Sequence, residues 1–188
     1  MTPGLAAALN APLSTARLTL APLLGAHAAA LFPILADPGT QRWISAPKAK
    51  SEESMRQRWA GLEGRCSPDG VEAWVAWAVQ RRDDGAWLGK IDANVDGALV
   101  VTNLGYVFSP AHWGHGYATE AVGAVVDHLI RVGVTELRAT VTVGNEASCH
   151  VLERLGFERR GVLVGNDVIR GIPHDDHLYV RPGRPGIA

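Results

Sequence analysis

Apolar and polar positions alternate through "ARLTLAPL" (16–23), the two-residue period of a half-buried strand. The period then lengthens, and "GAHAAALFPILAD" (25–37) reads as a helix stopped near Pro38. "SEESMRQRWAGLEG" (51–64) predicts a second helix, with Ser51 as N-cap, Glu53 and Ser54 in the first turn and Gly64 beyond its end. Strand character returns in "EAWVAWAVQ" (72–80), rich in Trp and Val. Asp84-Gly85 and Asp96-Gly97 separate that run from two more, 87–95 and 98–108, and Asp-Gly between strand-like runs signals a hairpin. From Ala118 the residues Ala121, Val122, Val125, Leu129 and Ile130 recur at helical spacing until Gly133. A strand at 136–143 follows, then a helix capped by Asn145, running through Ala147, Val151 and Leu155 with Gly156 past its end. "RGVLVGNDVI" (160–169) and "DHLYV" (176–180) read as a final pair of strands. The order βαα, three strands, αβα, then strands predicts an α/β (α+β) single domain with a mixed, mostly antiparallel sheet. Residues 15–181 form that domain in this reading, and 1–14 and 182–188 are flexible termini.

Composition narrows the class. At 188 residues, 47% apolar and 20% charged, the chain suits one soluble globular domain. A net charge of −1 lends no support to a nucleic-acid partner. Cys66 and Cys149 are too few for a disulfide scaffold, which suits a reducing compartment. "MTPGLAAALNAPLS" has no basic lead and Asn10 interrupts its apolar stretch, so it makes a poor signal peptide. "AHAAALFPIL" (26–35) contains Pro33 and falls short of the roughly 20 apolar residues a membrane span needs. The expectation is a cytoplasmic protein that meets no membrane.

Chemistry concentrates in "HWGHGYATEA" (112–121), where glycines two apart open the amphipathic helix. A helix N-terminus offers unpartnered N–H groups and the positive end of its dipole, together an anion site. Gly114 and Gly116 keep side chains out of the way, Ala118 is nearly as small and Thr119 adds a hydroxyl. By themselves the glycines fit a plain strand-to-helix turn as well as a phosphate cradle. The dinucleotide fingerprint fails here, since Thr119 stands at the third glycine and the next strand ends without an acid. The nucleoside-triphosphate loop fails too, for want of Gly-Lys-Ser/Thr.

"LGYVFSPAHWGHGYATEAVGAVVDHLI" followed by "VTVGNEASCHVLERLGFERRG" resembles the Gcn5-related N-acetyltransferase (GNAT) superfamily, in its RimJ/RimL-type branch of ribosomal-protein N-terminal acetyltransferases. The resemblance covers roughly residues 15–181 and implies about seven strands flanked by about four helices. It implies acetyl-coenzyme A as acyl donor, with the pyrophosphate on Trp113, Gly114, His115, Gly116, Tyr117, Ala118 and Thr119. It also implies a splay between the strand ending at Phe108 and the strand at 136–143, which takes the pantetheine arm, and oxyanion donors among the backbone N–H groups near Val107 and Phe108. Three positions depart from the common pattern: Trp113 replaces a basic or amide residue, Leu152 a tyrosine acid and Asn103 a carboxylate base. Homodimers are common among such relatives, so pairing into a homodimer is possible.

Acetyl transfer from a thioester to an amine needs a neutral amine, a stabilised oxyanion and a protonated leaving thiolate. Ser148 is either a first-turn residue or, as the branch's pattern implies, the donor of that proton. Asn145 is a helix cap or, in addition, a contact to the cofactor arm. Cys149 and His150 are adjacent on a helix and point about 100° apart, so they do not make a nucleophile–base pair. His112, His115 and "HDDH" (174–177) lack the further ligands of a closed metal site, and no metal is expected. Trp74, Trp77 and Trp87 read as sheet residues, one of which lines the acceptor groove in an alternative reading. An α-amino group near pH 8 is roughly 3 kcal/mol easier to deprotonate at neutral pH than a lysine. Without a carboxylate at Asn103, that difference favours a peptide N-terminus as acceptor. A small-molecule amine such as a polyamine or aminoglycoside, or a non-catalytic acyl-coenzyme A-binding module, stands as the alternative.

Overall fold

The computed structural model describes residues 1–45 and 49–183. Its single α/β domain is one sheet of eight strands in the order β1-β2-β3-β4-β5-β6-β8-β7. The strands are β1 (Leu13–Ser14), β2 (Leu18–Pro22), β3 (Ala73–Arg81), β4 (Trp87–Val95), β5 (Val100–Phe108), β6 (Glu136–Thr142), β7 (Glu158–Ile169) and β8 (Ile172–Pro182). The α-helices are α1 (Pro3–Leu9), α2 (Ala28–Ala36), α3 (Pro38–Gln41), α4 (Glu52–Ala60), α5 (Tyr117–Val132) and α6 (Glu146–Arg154). Neighbouring strands are antiparallel except β5 and β6, which the crossover helix α5 joins in parallel. The predicted helix at 25–37 opens with a 3₁₀ turn, Gly25–His27, before α2.

The first fourteen residues, expected as a flexible terminus, are packed instead. Thr2 caps α1 by accepting from the Leu5 N–H at 3.3 Å, and Ala6 and Leu9 are fully buried. The buried Asn10 donates from Nδ2 to the Ala76 carbonyl at 2.9 Å, which satisfies a polar group inside the protein. A seven-residue helix flanked by Pro and Asn carries too few periodic positions to stand out in the sequence. At the other end Pro182 belongs to β8, and residues 184–188 of the expected C-terminal tail lie outside the described residues.

The sheet buries both faces. On one, Val75, Trp77, Ile91 and Leu104 pack with α1, α5 and α6 into the main core. On the other, Leu23 and Ala78 pack against Leu31, Met55 and Trp59 of α2 and α4. Antiparallel register places Lys90, Asp92 and Asn94 of β4 on this second face, beside Val107, Gly105 and Asn103 of β5. Beyond Val100↔Glu136 and Val101↔Leu137, β5 and β6 are no longer paired. An irregularity between Asn94 and Val95 skips Thr102 on β5 at that point, and a bulge bends the strand that carries it. The implied splay is therefore present, with the rest of β5 facing an open gap.

Candidate active site

Loop 113–116 joins β5 to α5 at the mouth of this gap. Gly114 and Gly116 adopt left-handed φ of 76° and 77°, a region open to glycine and costly for other residues. Gly116 is the N-cap of α5 and offers no side chain to its first turn. The Glu120 N–H bonds back to the Gly116 carbonyl at 3.1 Å, whereas the N–H groups of residues 114–119 meet no carbonyl acceptor among the described residues. A row of free donors at a helix N-terminus has the geometry that an anion cradle requires.

Its supports were not read from the sequence. Glu120, in the first turn of α5, accepts from Thr15 Oγ1 at 2.5 Å, Arg17 N at 3.0 Å and Arg17 Nε at 2.6 Å. Arg17 also donates to the His115 carbonyl at 3.1 Å and lies 4.5 Å from the centre of the Tyr117 ring. Burial raises the Glu120 carboxyl, but these donors outweigh it and hold it below the usual carboxylate range. Tyr117 is buried, its ring stacked 5.8 Å from that of His115, and it joins the loop to Arg17. The Trp113 indole donates to the Phe108 carbonyl at 2.8 Å, tying the loop to β5.

Along β5 the two expected oxyanion donors part company. Ser109 donates to the Leu88 carbonyl at 2.8 Å, and polar groups alternate sides along a strand. Val107, opposite Lys90, therefore turns its N–H into the ladder with β4, while Phe108 and Tyr106 turn theirs toward the gap. Val107, its N–H committed to the ladder, is thus removed as an oxyanion donor, whereas the Phe108 N–H is open to the gap.

Across the gap Asn145, which lines the same cavity, caps α6 by accepting from the Ser148 N–H at 3.3 Å. The Ser148 hydroxyl lies 2.7 Å from the Tyr106 phenol. Burial pushes the Tyr106 phenol well above its ordinary value, and its O–H donates to the Ser148 carbonyl at 3.1 Å. Tyr106 lines this cavity and is a residue of the site that sequence reasoning missed. Cys149 is buried and His150 exposed, so the two face apart.

Two cavities adjoin the gap. One, about 600 Å³, follows it past loop 113–119, Ser148 and Asn145. The other, about 680 Å³, lies between β3–β4 and helices α2 and α4, walled by Phe32, Leu35, Met55, Trp59 and Trp74. Trp74 is the indole of the three that lines this groove; Trp77 lies fully buried in the main core. Ile44, Lys90, Asp92 and Val107 border both cavities. Lys90 and Asp92 are ion-paired there. Alternation in "WLGKIDANV" already puts Lys90, Asp92 and Asn94 on one face; that signal was available and unread. Asp176 on β8 is buried, with Oδ2 held by Asn166 at 2.8 Å and Oδ1 without a partner.

The acetyltransferase (GNAT) domain family matches residues 17–158. The uncharacterised N-acetyltransferase YoaA of Bacillus subtilis is 29% identical over 175 residues, covering 89% of this chain and 94% of that protein. RimL, the ribosomal L7/L12 alpha-N-protein acetyltransferase solved in complex with coenzyme A, superposes with a TM-score of 0.80 at 20% identity, covering 92% of this chain and 98% of RimL. The ribosomal-protein-S5-alanine acetyltransferase of Vibrio fischeri gives 0.81 at 16% identity, covering 94% and 100%. Among the described residues no helix is long and apolar enough to cross a membrane.

Proposed function

The chain belongs to the acetyltransferase (GNAT) family, and from that premise we propose that it transfers acetyl from acetyl-coenzyme A to a peptide or protein N-terminal α-amino group, by direct attack in a ternary complex. One observation carries the donor half: the unpartnered N–H groups of residues 114–119 beside a gap that β5 leaves open. In this reading those amides hold the pyrophosphate and the open edge of β5 runs along the pantetheine arm. The Phe108 N–H meets the oxygen on which charge develops, and a preorganised donor of this kind contributes roughly 3–4 kcal/mol. Ser148 gives its proton to the leaving thiolate, and the neighbouring Tyr106 phenol stabilises the alkoxide this leaves and returns the proton.

The acceptor half is supported by charge. Arg58, Arg65 and Lys90 line the cavity between the sheet and α4, against Asp92 as its acid. A cavity so lined repels a polyamine or an aminoglycoside and tolerates a lone ammonium, which favours the peptide N-terminus. Thiol release with Ser- and Ala-initiated peptides and with spermidine, each at saturating acetyl-coenzyme A, tests the assignment. Turnover of the peptides is expected; turnover of spermidine alone would transfer it to small amines. Acetyl-coenzyme A binding with no release on any amine would mark a binding module.

A further inference from the structure

Resting on the acetyltransferase reading above, we infer that Asp92 takes the place of the carboxylate missing at Asn103, receiving the acceptor's ammonium and removing its proton. Position singles it out. Of the acids that line the two cavities, Asp92 borders both, at the point where an amine from one would meet a thioester from the other. Asp167 and Asp176 border the gap cavity alone, and Asp176 is 2% exposed with one oxygen already bound by Asn166. The Asp92 side chain is 36% exposed.

The strand opposite keeps that carboxylate uncovered. Gly105 faces Asp92 across the β4–β5 ladder, and a Cβ there would stand 3.1 Å from Asp92 Oδ2. Glycine at this position leaves the oxygens open toward the gap, on the same face as Asn103 and Val107. Lys90, the ion partner, holds the Asp92 carboxylate in place until an ammonium arrives.

The reaction balances with these groups. The ammonium passes one proton to the Asp92 carboxylate, and the freed lone pair forms the C–N bond at the thioester carbonyl. The C–S bond then breaks with its electron pair on sulfur, which takes the Ser148 proton. The second amine proton leaves as the tetrahedral centre collapses and restores Ser148 through Tyr106, and Asp92 discharges to solvent. The substrate class follows from the walls: a single ammonium beside an apolar or aromatic group that fills the Phe32, Trp59 and Trp74 surface, with no second cation near Arg58 and Lys90.

The test compares wild type, Asp92→Asn, Asp92→Glu and Arg58→Ala. Thiol release is measured with the amide of Ala-Phe-Gly and with spermidine, and acetyl-coenzyme A affinity by calorimetry. For wild type the peptide is expected to exceed spermidine about tenfold in kcat/KM. Asp92→Asn is expected to lower the peptide's kcat/KM about 100-fold with acetyl-coenzyme A affinity within twofold, and Asp92→Glu to recover part of it. Arg58→Ala, on the exposed side of α4, raises spermidine turnover several-fold. Wild-type kcat/KM in Asp92→Asn overturns the proposal alone, as does a matching loss of acetyl-coenzyme A affinity, which would place Asp92 in the donor half. No thiol release by wild type with either amine overturns the functional reading and the proposal together.

Discussion

On the α5 side of the sheet the site consists of backbone: two left-handed glycines, a row of amides and the open edge of β5. On the α2–α4 side it consists of side chains, with aromatic walls, three cationic residues and Asp92. Backbone donors serve any sequence that leaves them uncovered, so in the proposed function the donor half needs no cation or amide at Trp113. Side chains are chosen one by one, so in the proposed function the acceptor half is the one that sets which amine is taken. General chemistry is written in the fold and specificity in the residues laid over it.

Substitutions can break or sharpen this contrast. Gly116→Val puts a β-branched residue at φ 77° and a side chain at the N-cap of the cradle. Acetyl-coenzyme A affinity by calorimetry is expected to fall about 100-fold or more, with strain of about 1–2 kcal/mol in the unfolding free energy. A tolerated Val would mean that the backbone is not the donor site. Ser148→Ala is expected to lower kcat about 10- to 100-fold at unchanged acetyl-coenzyme A affinity, and Tyr106→Phe about three- to tenfold in single-turnover rates. Gly105→Ala sharpens the contrast, being a glycine of the donor strand that serves the acceptor. Displacing Asp92 should raise the amine KM about tenfold while leaving acetyl-coenzyme A affinity alone.

The smallest effect concerns the tie between the halves. Glu120 holds its proton less tightly in the folded protein than an ordinary carboxyl near 4.3 does. Its contribution is therefore present above that range and lost as pH falls through the lowered folded value. Urea unfolding of Glu120→Gln at pH 7 should show a deficit of about 1 kcal/mol, shrinking toward wild type as the pH falls below 4.

Much of this was legible in the chain because local rules decided it. The strand at 87–95 stands where the flanking Asp-Gly turns put it, and α5 ends at Gly133, whose φ is 114°. In the β4–β5 turn Asp96 accepts from the Ala98 and Val100 N–H groups at 2.9 Å, but the left-handed residue is Leu99 rather than Gly97. Helix α1 escaped because its stability comes from burying Leu9 under the sheet, not from its own sequence. The site split in the same way. Glycines and caps announced the cradle, whereas the Ser148–Tyr106 contact joins residues 42 apart in sequence. The Arg17–Glu120 clamp joins residues 103 apart, and separations of that size leave no periodic trace. The side of β5 on which Val107 presents its amide was likewise fixed by pairing with β4, which composition does not encode.

Amide NMR of the ¹⁵N-labelled protein, titrated with coenzyme A, tests the central claim most directly, because it watches the N–H groups themselves. Saturating shifts are predicted to be largest at Gly114, Gly116, Ala118 and Thr119, to extend along Tyr106 and Phe108, and to leave the cavity face of α4 nearly unmoved. Binding that shifted α4 or the β7–β8 hairpin while residues 114–119 stayed in place would contradict the account.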